Sequence, residues 1–278
     1  MAEPLMIIAA RRRFNILVTI IVAAALLIVI SVYEASLYQE AFFTGWLLLA
    51  VMLFLALFNL RKRLTMLPLG SASAWLQAHV YAGWLVILLF VAHVGWRVPN
   101  GALELTMTVM FVLVAGSGAI GIALARWLPA RLTRRGEEVI FERIPAFIAQ
   151  LRDEAEDIVL KSAKETRSST IGDFYLEHLS PFFSGPQNRL RHLIASRRVR
   201  FTLLNEIDNM QRYLSEQEKE YAERFRDLVN KKDELDFHYS LNLALKAWLL
   251  VHVPTTYALL IVAALHVVLV YAYGGGVG

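Results

Sequence analysis

Four histidines stand at one repeated interval inside two apolar stretches. His79 and His93 lie in LQAHVYAGWLVILLFVAHVGW (76–96), and His252 and His266 in LKAWLLVHVPTTYALLIVAALHVVLVYAY (245–273). An imidazole placed in hydrocarbon is costly and calls for a partner, and its neutral ring nitrogen is a strong metal ligand. On an α-helix rising about 1.5 Å and turning about 100° per residue, this interval climbs roughly 21 Å and falls about 40° short of four turns. Each pair therefore points to one side of its helix, with one imidazole near each membrane surface.

Two imidazoles at one depth do not complete an ordinary ion site, because zinc and similar ions recruit carboxylates, thiolates or further imidazoles. Neither stretch contains Asp or Glu. Haem iron suits the pairs better, since the porphyrin itself supplies four nitrogens and two negative charges. With both axial positions filled, such an iron transfers electrons rather than binding oxygen. The expected cofactors are thus two haem b groups held by His79, His93, His252 and His266. A non-enzymatic alternative, a membrane scaffold or metal-ion transporter, would use the same histidines to bind ions or to pack.

The elements that must position these residues are membrane helices. The chain has 278 residues, 57% of them hydrophobic, and a mean hydropathy of +0.49, above that of an average soluble domain. Crossing a hydrocarbon core of about 30 Å takes roughly 20 apolar residues. Five windows qualify, near 14–33, 43–60, 76–96, 104–125 and 245–273. The first follows Arg11, Arg12 and Arg13 and exceeds the roughly 7–15 apolar residues of a signal-peptide core, so it is read as a retained helix. The absence of cysteine excludes thiolate-bound iron–sulfur clusters, covalent c-type haem and disulfides within this chain.

Flanking charge sets the expected topology. Arg11 to Arg13 precede helix 1, Arg61, Lys62 and Arg63 follow helix 2, and Arg126, Arg131, Arg134 and Arg135 follow helix 4. The alternate loops carry only Arg97 as a basic residue, which puts the N-terminus and the hydrophilic region in the cytoplasm and the C-terminus outside. The net charge of +4 reflects this clustering, so no nucleic-acid partner is expected. Helices 3 and 5 then run in the same direction. His79 pairs with His252 near the inner surface, and His93 with His266 near the outer one.

The fold expected is an all-α integral membrane protein. Its parts are transmembrane helices 1–4 over 1–127, a helical cytoplasmic region over 128–240, and helix 5 with an outer tail over 241–278. In helix 4, Gly116, Gly118 and Gly121 serve close helix packing, room for a flat macrocycle, or both; Gly45 in helix 2 is a weaker instance. Pro254 predicts a kink, with Thr255 and Thr256 satisfying the carbonyl it frees. Arg97, one turn beyond His93, is the candidate propionate partner of the outer haem, and Arg61, Arg63 and Lys246 serve the inner one. Trp75, Trp84, Trp96 and Trp248 read as interfacial belt or core.

In the hydrophilic region, 137–164 has helical spacing broken by Pro145, and 215–236 is a charged helix that runs on into helix 5. The segment between them, SSTIGDFYLEHLSPFFSGPQNRL, has the punctuation of a loop, docked by Phe174, Tyr175, Phe182 and Phe183. The basic run 189–200 suits a surface helix near anionic headgroups or a dock for an acidic protein. His178 and His192 carry no ligand spacing, and His238 reads as a surface histidine or a proton-exchange aid for a quinone. No GxGxxG, P-loop or nucleotide-binding βαβ pattern is present.

The spacing His79-x13-His93 and His252-x13-His266 on alternate helices resembles the four-helix di-haem cytochromes b, as in quinol:cytochrome c oxidoreductases. It is also similar to the haem-bearing membrane core of ferric reductases and NADPH oxidases. It differs from the first in the long insertion between helices 4 and 5, and from the second in stopping at helix 5 without a flavin domain. The resemblance implies a four-helix di-haem bundle in the bacterial inner membrane. Its partners would be membrane lipid, a quinol or quinone at one haem edge, and a redox protein such as a cytochrome c or an iron–sulfur subunit. The chain would be the electron-carrying membrane subunit of an oxidoreductase complex.

Overall fold

Five long apolar runs fold as the helices that a hydrocarbon solvent requires, since only intrahelical bonds can satisfy their backbone there. The computed structural model describes residues 3–36, 40–63, 70–95, 97–132, 140–187, 192–193 and 198–273, and every element among these is helical. The first four helices are α1 (Glu3–Ala35), α2 (Glu40–Arg63), α3 (Ala72–Val94) and α4 (Ala102–Leu132). The last helix, α9 (Glu216–Tyr273), carries the fifth apolar run at its C-terminal end. These five are long and apolar enough to cross a membrane. Local signals set their ends. At the start of α3, Ser71 Oγ accepts the Ala74 N–H at 3.2 Å, and at its end Gly95 adopts a φ of +69° that returns its N–H to the Val91 carbonyl.

Contacts divide the chain into two compact units, Met1–Ile122 with Leu249–Gly278, and Ala123–Trp248. In the first, Ile30, Leu48, Val86, Leu89, Phe111 and Leu259 form a common core drawn from all five membrane helices. Phe90 stacks on Phe111 with ring centroids 3.8 Å apart. Phe14, Ile20 and Ile28 of α1 remain largely exposed, a surface suited to lipid.

Polar pairs between the helices fix their directions. Trp46 Nε1 donates to Tyr271 Oη at 3.2 Å, and Asn59 Nδ2 donates to Tyr257 Oη at 2.9 Å. Numbering rises along α2 as it falls along α9, so the two are antiparallel. Thr44 meets His93 and Leu55 meets His79, so α2 is antiparallel to α3 as well. Consequently α3 and the membrane part of α9 are parallel. Asn15 Nδ2 donates to Gln77 Oε1 at 2.8 Å, tying α1 to α3.

The helix continues through Pro254. The nearby hydroxyls do not cap the Leu250 carbonyl that the proline frees. Thr255 Oγ1 donates to the Val251 carbonyl and Thr256 Oγ1 to the His252 carbonyl, both at 2.7 Å, because a threonine on a helix reaches most readily to the carbonyl four residues back.

The second unit departs from its sequence reading at three points. Pro145 does not interrupt a helix: after a 3-10 turn (Phe141–Arg143) it lies in the first turn of α5 (Ile144–Thr166), where a missing N–H is harmless. The presumed loop is helical from 170 to 183, as α6 (Thr170–Phe174), a π turn (Tyr175–Leu179) and α7 (Ser180–Phe183). Its four aromatics are buried in a core with Ile171, Leu179, Ile207 and Phe225, and Pro181 again occupies a first turn. Val159 Cγ1 would stand at an ordinary contact distance of 3.4 Å from a Cβ on Gly172, where α6 faces α5. Third, His238 is buried rather than at the surface, because the charged helix also has a packed face; His192 is buried as well.

Residues 198–211 form α8 (Arg198–Gln211); 189–191 and 194–197 of the basic run lie outside the described residues. The α9 helix opens on a reciprocal capping box, in which Glu218 Oε2 accepts the Ser215 N–H at 2.9 Å and Ser215 Oγ accepts the Glu218 N–H at 3.4 Å. One face of α9 buries Lys232 and Asp236 completely. The Lys232 ammonium donates to Asp236 and, at 2.9 Å, to the Gly185 carbonyl, and it lies 4.4 Å above the Phe182 ring. Asp236 also accepts the Gln187 N–H at 3.3 Å, so the pair fastens the 182–187 turn to α9. Burial pushes the Asp236 carboxyl up to about 6 against the pull of Lys232, and burial lowers the lysine.

Candidate functional site

The parallel run of α3 and α9 brings the histidines together in two pairs. The rings of His79 and His252 have centroids 6.4 Å apart at an interplanar angle of 73°. Two metal–imidazole bonds of roughly 2.0–2.1 Å, plus about 1.1 Å from each nitrogen to its ring centre, give about 6.3 Å between ligands on opposite sides of one metal. The observed separation leaves room for one metal between the two rings. His93 and His266 line one cavity of about 590 Å³ together with Gly45, Phe90 and Phe111. That volume falls within the roughly 300–1,000 Å³ of cofactor clefts.

The ring nitrogens have definite partners. His79 Nδ1 lies 3.1 Å from the Leu55 carbonyl, which can only accept, so the proton is on Nδ1. Ser117 Oγ lies 2.7 Å from His252 Nδ1 and gives its own hydrogen to the Val114 carbonyl at 2.8 Å. With its hydrogen on that carbonyl the hydroxyl accepts from a protonated Nδ1; toward a bare Nδ1 it donates instead. Thr44 is fully buried, stands 3.2 Å from His93 Nδ1 and donates to the Ala41 carbonyl over a longer 3.4 Å. His79 thus takes the Nδ1–H tautomer, which leaves its lone pair on Nε2, and the Ser117 and Thr44 hydroxyls stand where they can accept the same proton from His252 and His93. This is how proteins orient histidine toward a metal. His266 lines the same cavity as His93.

The glycines divide by surroundings. A Cβ on Gly45 would lie 2.8 Å from His93 Cε1, an overlap, whereas one on Gly118 would sit at an ordinary 3.7 Å from His252 Cε1. A Cβ on Gly116 would meet nothing within 4 Å. Gly45, the weaker hint in the sequence, is the glycine under the tightest constraint. Arg97 is exposed and supplies polar lining to the 590 Å³ cavity along with Asn100 and Glu104.

Among the basic residues considered for the other pair, Lys246 is held by Glu142 at 2.6 Å and lies 4.0 Å over the Phe141 ring. The side chains of Arg61 and Arg63, and the whole of Trp96, lie outside the described residues. Trp84 is exposed and Trp75 stacks on Phe54 at 5.9 Å, positions that suit belt or core. His178 stacks on Phe174 at 4.9 Å and His192 Nε2 lies 3.9 Å from Asp233. Among the described residues, no three or more His, Asp or Glu side chains gather as a metal-ion cluster. Sequence reasoning missed Thr44, Ser117 and the Leu55 carbonyl. A Ser or Thr beside a glycine on a neighbouring helix was the available signal, but it acquires meaning only once the helices are aligned.

No protein-family model, curated protein or solved structure matches this chain. What the fold itself defines is a polytopic α-helical protein with five helices suited to the membrane.

Proposed function

We propose that the membrane unit is a b-type cytochrome that carries electrons across the bilayer through two bis-histidine haems. The observation that carries this reading is the 6.4 Å separation of His79 and His252; fourteen residues further on, His93 and His266 line one cavity. His79 and His252 hold the inner haem, and His93 and His266 the outer one. The positive-inside distribution of Arg11 to Arg13, Arg61 to Arg63 and Arg126 supports a cytoplasmic N-terminus and hydrophilic unit.

A haem bound in this way supplies one-electron chemistry with no coordination position left for oxygen. The chain does the rest. The Leu55 carbonyl and the Thr44 and Ser117 hydroxyls hold the imidazoles in the ligating tautomer, and Phe90, Phe111 and Leu259 keep water away from the outer pair. Gly45 keeps α2 clear of the His93 ring. Arg97 offers a cation to the propionates at the outer mouth. A membrane quinol or quinone exchanges electrons at one haem edge and a redox protein, a cytochrome c or an iron–sulfur subunit, at the other. The chain is then the electron-carrying subunit of an oxidoreductase in a bacterial inner membrane.

The reading is tested with purified protein in vesicles that enclose ferricyanide, to which dithionite is added outside. Trapped ferricyanide is reduced faster than in protein-free vesicles if the chain conducts electrons, and a His266→Ala variant loses that gain. Rates equal to those of empty vesicles overturn it.

A further inference from the structure

Two short sequences on different helices surround an imidazole in the same way. On α2, Thr44 bonds the carbonyl three residues back, Ala41, and places its oxygen on His93 Nδ1, while the next residue, Gly45, faces His93 Cε1. On α4, Ser117 bonds the carbonyl three residues back, Val114, and places its oxygen on His252 Nδ1, while Gly118 faces His252 Cε1. One histidine of each pair is held in this manner. Its partner is held otherwise, His79 by the bare Leu55 carbonyl.

We infer that Thr44–Gly45 and Ser117–Gly118 are two copies of one imidazole seat, each positioning a single axial ligand of a single haem. The inference rests on the haem reading for its redox consequence but not for its geometry. In each seat the hydroxyl hydrogen goes to the helix carbonyl and the oxygen accepts from Nδ1, which holds the ring proton there and leaves the Nε2 lone pair for the iron. Accepting that proton makes the imidazole more basic and favours ferric iron. At 45 the glycine lets the backbone approach the ring, whereas at 118 a Cβ would fit at an ordinary distance. The two seats act on different haems, so each can be altered alone.

Two measurements test this. In a redox titration of the haem-loaded protein, Ser117→Ala should raise the midpoint potential of only the haem that His252→Ala removes. A change of roughly tenfold in the ferric-to-ferrous preference reads as 59 mV for a one-electron couple. Thr44→Val should do the same to the other haem, and Ser117→Thr should restore the original value. Gly45→Ala should deplete the His93 haem, while Gly118→Ala keeps both. Potentials that move together, or not at all, overturn the seats while leaving the haems in place. In haem-free protein in lipid, nitrogen NMR of labelled histidine should find His93 and His252 with the proton on Nδ1. Finding it on Nε2 overturns the seats whether or not the chain binds haem. A wild-type protein that takes up no haem defeats the function instead, and the NMR result still decides the seats.

Discussion

The imidazole of His79 lies 6.4 Å from that of His252, a residue from the opposite end of the apolar sequence. Parallel packing of α3 and α9 produces this meeting, and antiparallel packing would have matched His79 with His266. The pairing is therefore a property of topology as much as of spacing. It predicts that His79→Ala and His252→Ala each remove the same haem, and that His93→Ala and His266→Ala each remove the other. Resolved midpoint potentials in the four variants check this; His93→Ala and His266→Ala losing different haems would show the pairing to be wrong.

Arg97 lies at the cavity of His93 and His266. A cation there favours the reduced, less positive haem, so Arg97→Gln should lower the potential of that haem and leave the other in place. The side chain is exposed and screened by solvent, so the shift should stay below about 59 mV, a tenfold change. An equal shift at both haems in a redox titration would remove Arg97 from the site.

Lys232 and Asp236 are completely buried together. Removing one charge strands the other, so Lys232→Met should destabilise the second unit by about 3–5 kcal/mol. Replacing both, Lys232→Met with Asp236→Leu, should recover most of that loss. Unfolding of the full chain in detergent, followed by circular dichroism, compares the two; a single variant no weaker than the double one contradicts the buried pair.

The same carboxyl predicts a pH dependence. Burial raises Asp236 from 3.8 to about 6, so the folded chain holds that proton more tightly than the unfolded one. Its contribution is complete below 3.8 and is lost as pH rises through about 6. Glu218 has the opposite sign. The Ser215 N–H, the Ser168 hydroxyl and the Ser215 hydroxyl hold it below its usual 4.5, so its contribution is present above that value and lost as pH falls through the lowered one. Asp236→Asn should therefore flatten the pH dependence of unfolding between about 4 and 6, and an unchanged slope there argues against the assignment.

The capping box gives a local test. Ser215→Ala leaves the Glu218 amide of α9 without its side-chain acceptor, while the N–H of residue 215 still donates to the Glu218 carboxylate, at a cost of about 0.5–2 kcal/mol. Denaturant unfolding of the full chain measures it, and Ser215→Asp should retain most of the stability.

Five membrane helices were legible because a hydrocarbon solvent leaves an apolar run of such length little choice. The His–His interval was legible because helical geometry is fixed, and the parallel course of α3 and α9 follows from loop charges and an odd number of crossings. What was not legible depended on side chains from other helices. Thr44 and Ser117 look like ordinary small polar residues until α2 meets α3 and α4 meets α9. Gly116 drew notice by its place in a glycine cluster, but contact singles out Gly45. In the second unit, Pro145 and Pro181 looked like breaks because position within a helix decides what proline does, and burial of the surrounding aromatics set that position. Lys232 and Asp236 were hidden in a charged helix whose buried face appears only after packing.

The central claim is that four histidines hold two haems. Its most direct test is a pyridine haemochrome assay on the purified, quantified protein, read with the reduced-minus-oxidised spectrum. The expected result is two haem b per chain with sharp reduced α-bands of six-coordinate iron, falling to one in each of the four histidine variants. A protein that yields no haem b, or keeps both haems when His252 is replaced, contradicts it.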